Sequence, residues 1–259
     1  MATATGYAGS AVFSLQNTVP AAGAPTIGAI VNAASFAPGA SPGSLQAMFG
    51  SNLSTTTAIA GPGTLPLTLG GVRLTIAGTP APLLYVSPAQ INFQVPPGSG
   101  TGQVEVVVSQ SSTLLAKTAL QINPSAPGIF LQIQSDRTRA AALNPDLTPN
   151  GPLSPAPAGS YAVMFVTGIG AVSPALAAGQ PAPLSPLSNA QLTVNATIGP
   201  RPVTVQYAGR APTLLGDQVN LLIPADLPAG DYPVVIRVDG VLSNSALISV
   251  SNAVRGGSK

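Results

Sequence analysis

Gln90-Ile-Asn-Phe-Gln-Val-Pro96 returns as Gln218-Val-Asn-Leu-Leu-Ile-Pro224, an offset of 128 residues. At the same offset Val104-Glu-Val-Val-Val-Ser109 returns as Tyr232-Pro-Val-Val-Ile-Arg237. Upstream, Pro42-Gly-Ser44 before Leu45-Gln-Ala-Met-Phe-Gly50 matches Ala158-Gly-Ser160 before Tyr161-Ala-Val-Met-Phe-Val166. Two stretches with one order of motifs read as two copies of one domain. They are placed at 28–133 and 138–252, with an N-terminal tail over 1–27 and a C-terminal tail over 253–259.

Each copy reads as all-β. Leu45–Phe49, Val72–Ile76, Ile91–Val95, Val104–Val108 and Ala119–Ile122 are short β-branched or alternating runs separated by Gly, Pro and Ser. The second copy repeats them as Ala162–Val166, Ala190–Val194, Val203–Tyr207, Val219–Ile223, Val234–Val238 and Ala246–Val250. Asp239-Gly240 predicts a type I′ hairpin, because both central residues of that turn need positive φ. Val234, Ile236 and Val238 then share one face, and Val235, Arg237 and Asp239 the other. Many short strands with regularly spaced turns predict two tandem immunoglobulin-like β-sandwiches. Helix is expected only as one turn near Ala175–Ala178. Asn123–Arg139, with Pro124 and Pro127-Gly128, reads as a short linker.

Composition excludes many chemistries. Among 259 residues there is no His, Cys or Trp. No Ser-His-Asp triad, Cys-His pair, imidazole ligand, thiolate metal site or disulfide can be built. Charged residues make up 6%, against about 25% in an average soluble domain. The net charge is +2 and the nine cations are scattered, so nucleic acid is not an expected partner. No run of apolar residues is long enough for a membrane span. The opening MATATGYAGSAVF has no basic n-region followed by a long apolar stretch, so the expectation is a chain whose export signal is not present in it.

The candidate chemistries that remain are thin. Asp226 and Asp231 are the one close pair of acids, but they flank Leu227-Pro-Ala-Gly230 and read as turn residues. Lys117 alternates outward from Leu120 and Ile122, and a turn near Ser111 sets it almost opposite Glu105. That predicts a cross-strand ion pair, with an isopeptide bond as the sharper alternative. Asn144-Pro-Asp146 with Asn150 supplies too few carboxylates for calcium and reads as a structural loop. Asn52-Leu-Ser54 and Asn195-Ala-Thr197 match the glycosylation sequon by a short pattern alone. The mid-strand Asn92 and Asn220 are expected to bond neighbouring loop backbone, and Tyr85 and Tyr207 to be half-buried corner residues. No cofactor and no metal is expected.

The tail holds one strand-like run at about 9–19. Phe13 and Leu15 share a face in Ala11-Val-Phe-Ser-Leu-Gln-Asn17. A lone strand needs backbone partners and cover for its apolar side. Val12, Phe13, Leu15 and Asn17 are therefore taken as a candidate assembly strand. It either folds back on the first domain or adds to the edge of another copy, and the second route propagates into filaments.

Other motifs occur in order: Val31-Asn-Ala-Ala-Ser-Phe36, Phe49-Gly-Ser-Asn-Leu53, Leu69-Gly-Gly-Val72, Pro80-Ala-Pro-Leu-Leu-Tyr-Val-Ser-Pro88, Ala126-Pro-Gly-Ile-Phe130, Ala141-Ala-Leu-Asn144, Thr167-Gly-Ile-Gly-Ala-Val-Ser-Pro174 and Ser243-Asn244. With the repeat motifs, this set resembles the Solibacter-type C-terminal domain family of acidobacteria over about 28–250. The resemblance implies an extracellular two-lobed β module at the end of large secreted or surface proteins. It implies no activity and no catalytic residue.

The expected function is that of a non-catalytic extracellular or cell-surface structural protein. It is read as a subunit of a bacterial filament or sheath whose partner is itself. The alternative is a surface- or carbohydrate-binding accessory module of a larger secreted protein, which needs an exposed aromatic platform and has only five Tyr and six Phe to build one.

Overall fold

The computed structural model describes residues 2–5, 10–13, 23–134 and 137–253. Strands β1 (Ala2–Thr5) and β2 (Ser10–Phe13) pair antiparallel as a separate two-stranded sheet, with Ala2 opposite Phe13. The first sandwich is built from β3 (Thr26–Asn32), β4 (Leu45–Ser51), β5 (Ala58–Ile59), β6 (Val72–Ile76), β7 (Thr79–Pro80), β8 (Leu83–Val86), β9 (Gln90–Gln94), β10 (Gly102–Gln110) and β11 (Thr113–Ile122). Its two sheets run β3-β4-β9-β8-β5 and β11-β10-β6-β7.

The second sandwich comprises β12 (Gly128–Ile129), β13 (Leu131–Gln134), β14 (Arg137–Ala140), β15 (Ala142–Leu143), β16 (Ala156–Pro157), β17 (Tyr161–Thr167), β18 (Val172–Ser173), β19 (Asn189–Ala190), β20 (Val194–Ile198), β21 (Arg201–Val203), β22 (Val205–Arg210), β23 (Asp217–Leu222), β24 (Gly230–Val238), β25 (Val241–Leu242) and β26 (Ala246–Ser251). One sheet runs β12-β17-β23-β22-β19-β18, with β15 also on β17. The other runs β13-β14-β26-β24-β20-β21, with β16 on β26 and β25 on β24.

Alternation explains the burial. Val234, Ile236 and Val238 are fully buried, as are Val72, Leu74 and Ile76. Each buried Val, Leu or Ile contributes about 1.5–3 kcal/mol relative to exposure. The two cores are separate: one ends at Ile122 and the other begins at Ile129. The sequence places residues up to 133 in the first domain. Gly128 and Ile129 instead pair with Thr167 and Val166, so this stretch belongs to the second sandwich. At the front, Thr26 and Ile27 already pair with Ser51 and Gly50.

The repeat holds down to its irregularities. Gly43 and Gly159 occupy the same turn, with φ of 78° and 83°. Ser44 and Ser160 each bond backward by amide and hydroxyl, to the carbonyls of Ser41 and Pro157. A bulge falls before Tyr85 in β8 and before Tyr207 in β22. Asp239-Gly240 is the expected two-residue turn, both residues at positive φ, with Val238 opposite Val241. Ser111-Ser112 forms another, also at positive φ. The Ala190–Val194 run is not one strand: β19 ends at Ala190 and β20 begins at Val194. No helical turn forms at Ala175–Ala178, where Gln180 N bonds Ala177 O across a tight turn.

Candidate functional site: the junction between the sandwiches

The register of β22 with β23 sets Arg210 opposite Asp217 at the end of the second sandwich that faces the first. Arg210 Nη1 donates to Asp217 Oδ1 at 2.5 Å. The same nitrogen donates to Gly43 O of the first sandwich at 3.1 Å, and Nη2 lies 3.4 Å from Pro42 O. Both side chains are buried, Asp217 completely. Asp217 also accepts the amides of Gly168 and Ile169, at the end of β17. Burial pushes the Asp217 carboxyl above its ordinary value, against the pull of Arg210 and these amides.

Further bonds cross the same plane. Leu45 N donates to Thr167 Oγ1 at 2.8 Å. Gly179 N donates to Gln94 Oε1 at 2.7 Å, and Gly179 O accepts from Leu65 N. The glycines are steric requirements. A Cβ on Gly43 would lie 1.8 Å from Arg210 Nη2, and one on Gly168 would lie 1.9 Å from Ala126 O. On the linker side, Asn32 Nδ2 donates to Ala126 O, Ser125 Oγ to Val238 O, and Asn244 pairs with both backbone groups of Ile129. Beside the linker lies an open cleft of about 570 Å³, walled by Pro38, Pro124, Pro127, Val241 and Leu242, with Asp239 at its rim.

The residues singled out by sequence fall elsewhere. Val12 and Phe13 lie in β2, whose backbone partner is β1 rather than the edge of a sandwich. Leu15 and Asn17 lie outside the described residues. Glu105 and Lys117 form the expected ion pair, Nζ to Oε1 at 3.1 Å. They sit diagonally, since Glu105 faces Ala119 and Lys117 faces Val107. Both side chains are more than half exposed, so Glu105→Gln is expected to change the unfolding free energy by well under about 1 kcal/mol in urea denaturation.

Asp226 and Asp231 do not work as a pair. Asp226 meets Arg201 at 2.8 Å, which holds its carboxyl below the ordinary value. Asp231 takes both Arg139 nitrogens and the Ser249 hydroxyl. Asn144, Asp146 and Asn150 spend their groups on one another, on Thr148 and Ser154 of the same loop, and on Ser249 of β26. Asn92 and Asn220 correct their expectation: each accepts from the Gln two residues earlier, at 2.8 Å, rather than from loop backbone. Tyr207 is the corner residue expected, its hydroxyl donating to Arg210 O at 2.7 Å. Among the described residues no three acidic side chains gather as a metal site.

Sequence reasoning missed the Arg210–Asp217 pair. The available signal was composition. In a chain this poor in charge, an Arg and an Asp that bracket one inter-strand turn are candidates for each other.

The model of a family described as "IPT/TIG domain" matches residues 49–122, from within β4 to the end of β11. No curated protein matches the chain. Among solved structures, a Bacteroides ovatus mixed-linkage glucan utilization locus protein, SGBP-B, in complex with a mixed-linkage heptasaccharide, is 14% identical, with a TM-score of 0.34. That alignment covers 83% of this chain and 43% of that one. Domains 5–6 of the S-layer protein SbsC are 10% identical over 89% of this chain and 100% of theirs, at a TM-score of 0.27. The plexin A4 extracellular region is 13% identical over 87% of this chain and 18% of its own length, at 0.27. The chain is thus all-β, two tandem immunoglobulin-like sandwiches of which the first carries the match to the IPT/TIG domain.

Proposed function

We propose that the protein is a non-catalytic structural protein outside the cell, a self-assembling subunit of a bacterial surface filament or sheath. Neighbouring copies join through β-strand addition by the N-terminal segment. One observation carries this reading: β1 and β2 pair with each other and, among the described residues, with no strand of either sandwich. A two-stranded ribbon alone is marginal in water, and among the described residues its outer edges pair with no other strand.

Four features support it. The junction fixes the two sandwiches to each other through buried charge and close backbone contact, which suits a stiff repeating unit. A net charge of +2 opposes close stacking of copies only weakly. The junction itself cannot be reused between copies at the N-terminal pole. Tyr85 faces Asn92 as Tyr207 faces Asn220, so the positions of Arg210 and Asp217 are held there by Pro88 and Ala89. The resemblance to the Solibacter-type family points to the same extracellular setting.

Sedimentation velocity tests the reading. The full chain is expected to shift to larger species as concentration rises, and a chain starting at Gly23 to stay monomeric. A full chain that remains monomeric throughout contradicts it. One observation favours the alternative, a glycan-binding accessory module. Phe36 is 60% exposed in the left-handed region at φ 56°, and it stacks on Phe49 with ring centroids 6.4 Å apart. On that reading Phe36→Ala abolishes retention on cell-wall or plant polysaccharide. Retention that is absent in the parent chain disposes of it.

A further inference from the structure

Because both sandwiches come from one repeat, each shows what the other has added or dropped. In the second, β26 does not end its sheet. β14 lies beside it in parallel, Arg139 opposite Leu247, and β16 extends the cover with Ala156 opposite Val250. β13 and β14 reach that place as an excursion between β12 and β15, which both pair with β17. In the first sandwich the corresponding strand, β3, runs along β4 without an excursion, broken only by a bulge at Gly28.

The counterpart of β26 is β11. Ala119 faces Glu105 as Leu247 faces Pro233, which keeps the 128-residue offset. Ala40 bridges Ile122 in parallel, as Ala156 bridges Val250. Among the described residues no strand pairs with β11 where β14 pairs with β26, although β3 runs close to β11 without bonding to it. What remains is a groove of about 470 Å³ between Ile27–Ile30 of β3 and Thr118–Gln121 of β11. Thr118–Gln121 correspond to Ala246–Ser249, the stretch beside which β14 lies. An uncharged sheet edge left open is a template for strand pairing.

The polar groups indicate what kind of strand fits. In the second sandwich the buried Arg139 reaches Asp231 and Ser249. The matching positions in the first are Gln103 and Gln121, opposite each other. A strand entering this groove meets no carboxylate and needs no cation. Lys117, the one charge on β11, is engaged by Glu105 of β10. The N-terminal segment complies, since no Asp, Glu, Lys or Arg precedes Arg73.

We propose that this groove is the acceptor for strand addition and that its occupant is Ser10–Phe13 of a second copy, lying parallel to β11 as β14 lies parallel to β26. The assignment rests on the self-assembly reading and adds the acceptor to it. Chain direction favours a second copy. A strand parallel to β11 runs toward the junction, whereas the chain enters β3 at the opposite pole. It is tied there by Asn52 Nδ2 to Gly23 O at 2.6 Å and by Thr26 to Ser51. A strand of the same chain has to turn back along the height of the sandwich; a strand of another copy does not.

The chain has no cysteine, so single thiols report contact. Full-length Ala11→Cys and full-length Ala119→Cys are mixed and oxidised. The expected result is a disulfide-linked mixed dimer, roughly tenfold or more above a control pairing Ala11→Cys with exposed Ala229→Cys, because a bound strand holds the two thiols at a high local concentration. Assembly without that cross-link overturns the acceptor assignment and leaves self-assembly standing. Neither assembly nor cross-link overturns both. A dilute double variant, Ala11→Cys with Ala119→Cys, that closes its disulfide within one chain overturns the second copy as occupant.

Discussion

Asp217→Asn is expected to lower the unfolding free energy by about 3–5 kcal/mol, the usual consequence of leaving one partner of a buried ion pair uncompensated. Arg210 has nowhere else to put its charge. Its remaining acceptors are the carbonyls of Gly43 and Pro42, and the side chain is almost wholly buried. The amides of Gly168 and Ile169 lose an anionic acceptor at the same time. The double replacement Arg210→Met with Asp217→Leu recovers most of the loss, because apolar groups of similar volume often serve as well as a buried pair. Urea unfolding of the three variants checks both statements.

Gly168→Ala is expected to uncouple the sandwiches. Gly168 has φ 87°, and a Cβ there would lie 1.9 Å from the carbonyl of Ala126, whose own amide bonds Gly168 O. Neither backbone can yield without opening the linker. Strain and overlap together cost about 2–5 kcal/mol. The qualitative result matters more. Calorimetry is expected to show one cooperative transition for the parent chain and two for the variant, as the bonds of Thr167 and Arg210 across the junction are lost. Gly78→Ala is the matched control: φ is 77°, but nothing lies within 4 Å of the added methyl. It is expected to cost about 1–2 kcal/mol, the left-handed penalty alone, and to keep a single transition.

Much of the fold was legible because it is local. Alternation in Val234–Val238 and the Asp239-Gly240 turn need only neighbouring residues to be understood, and both are as expected. The tandem repeat was legible because two copies of a strand carry the same face pattern. β13 and β14 were not legible, since Leu131–Ala140 looks like a linker until β26 is there to pair with. The junction was least legible. Gly43, Gly168, Arg210 and Asp217 stand far apart in the chain, and their roles follow from one end of a sandwich meeting the other. Many of the motifs quoted from the sequence turn out to build that meeting place: Asn32, Pro42-Gly43-Ser44, Gln94, Ala126, Thr167-Gly168 and Asn244 all bond or pack across it or along the linker. The N-terminal strand was half legible. Its apolar alternation was visible, but its pairing with Ala2–Thr5 was not, because Ala-Thr-Ala-Thr carries no strong strand signal of its own.

Electron microscopy of the full chain beside one beginning at Gly23 tests the central claim most directly. Gly23 is the better starting point because β3 begins at Thr26 and its first residues belong to the sandwich. The account predicts filaments or sheets from the full chain and separate two-lobed particles from the shortened one. Separate particles from both contradict it.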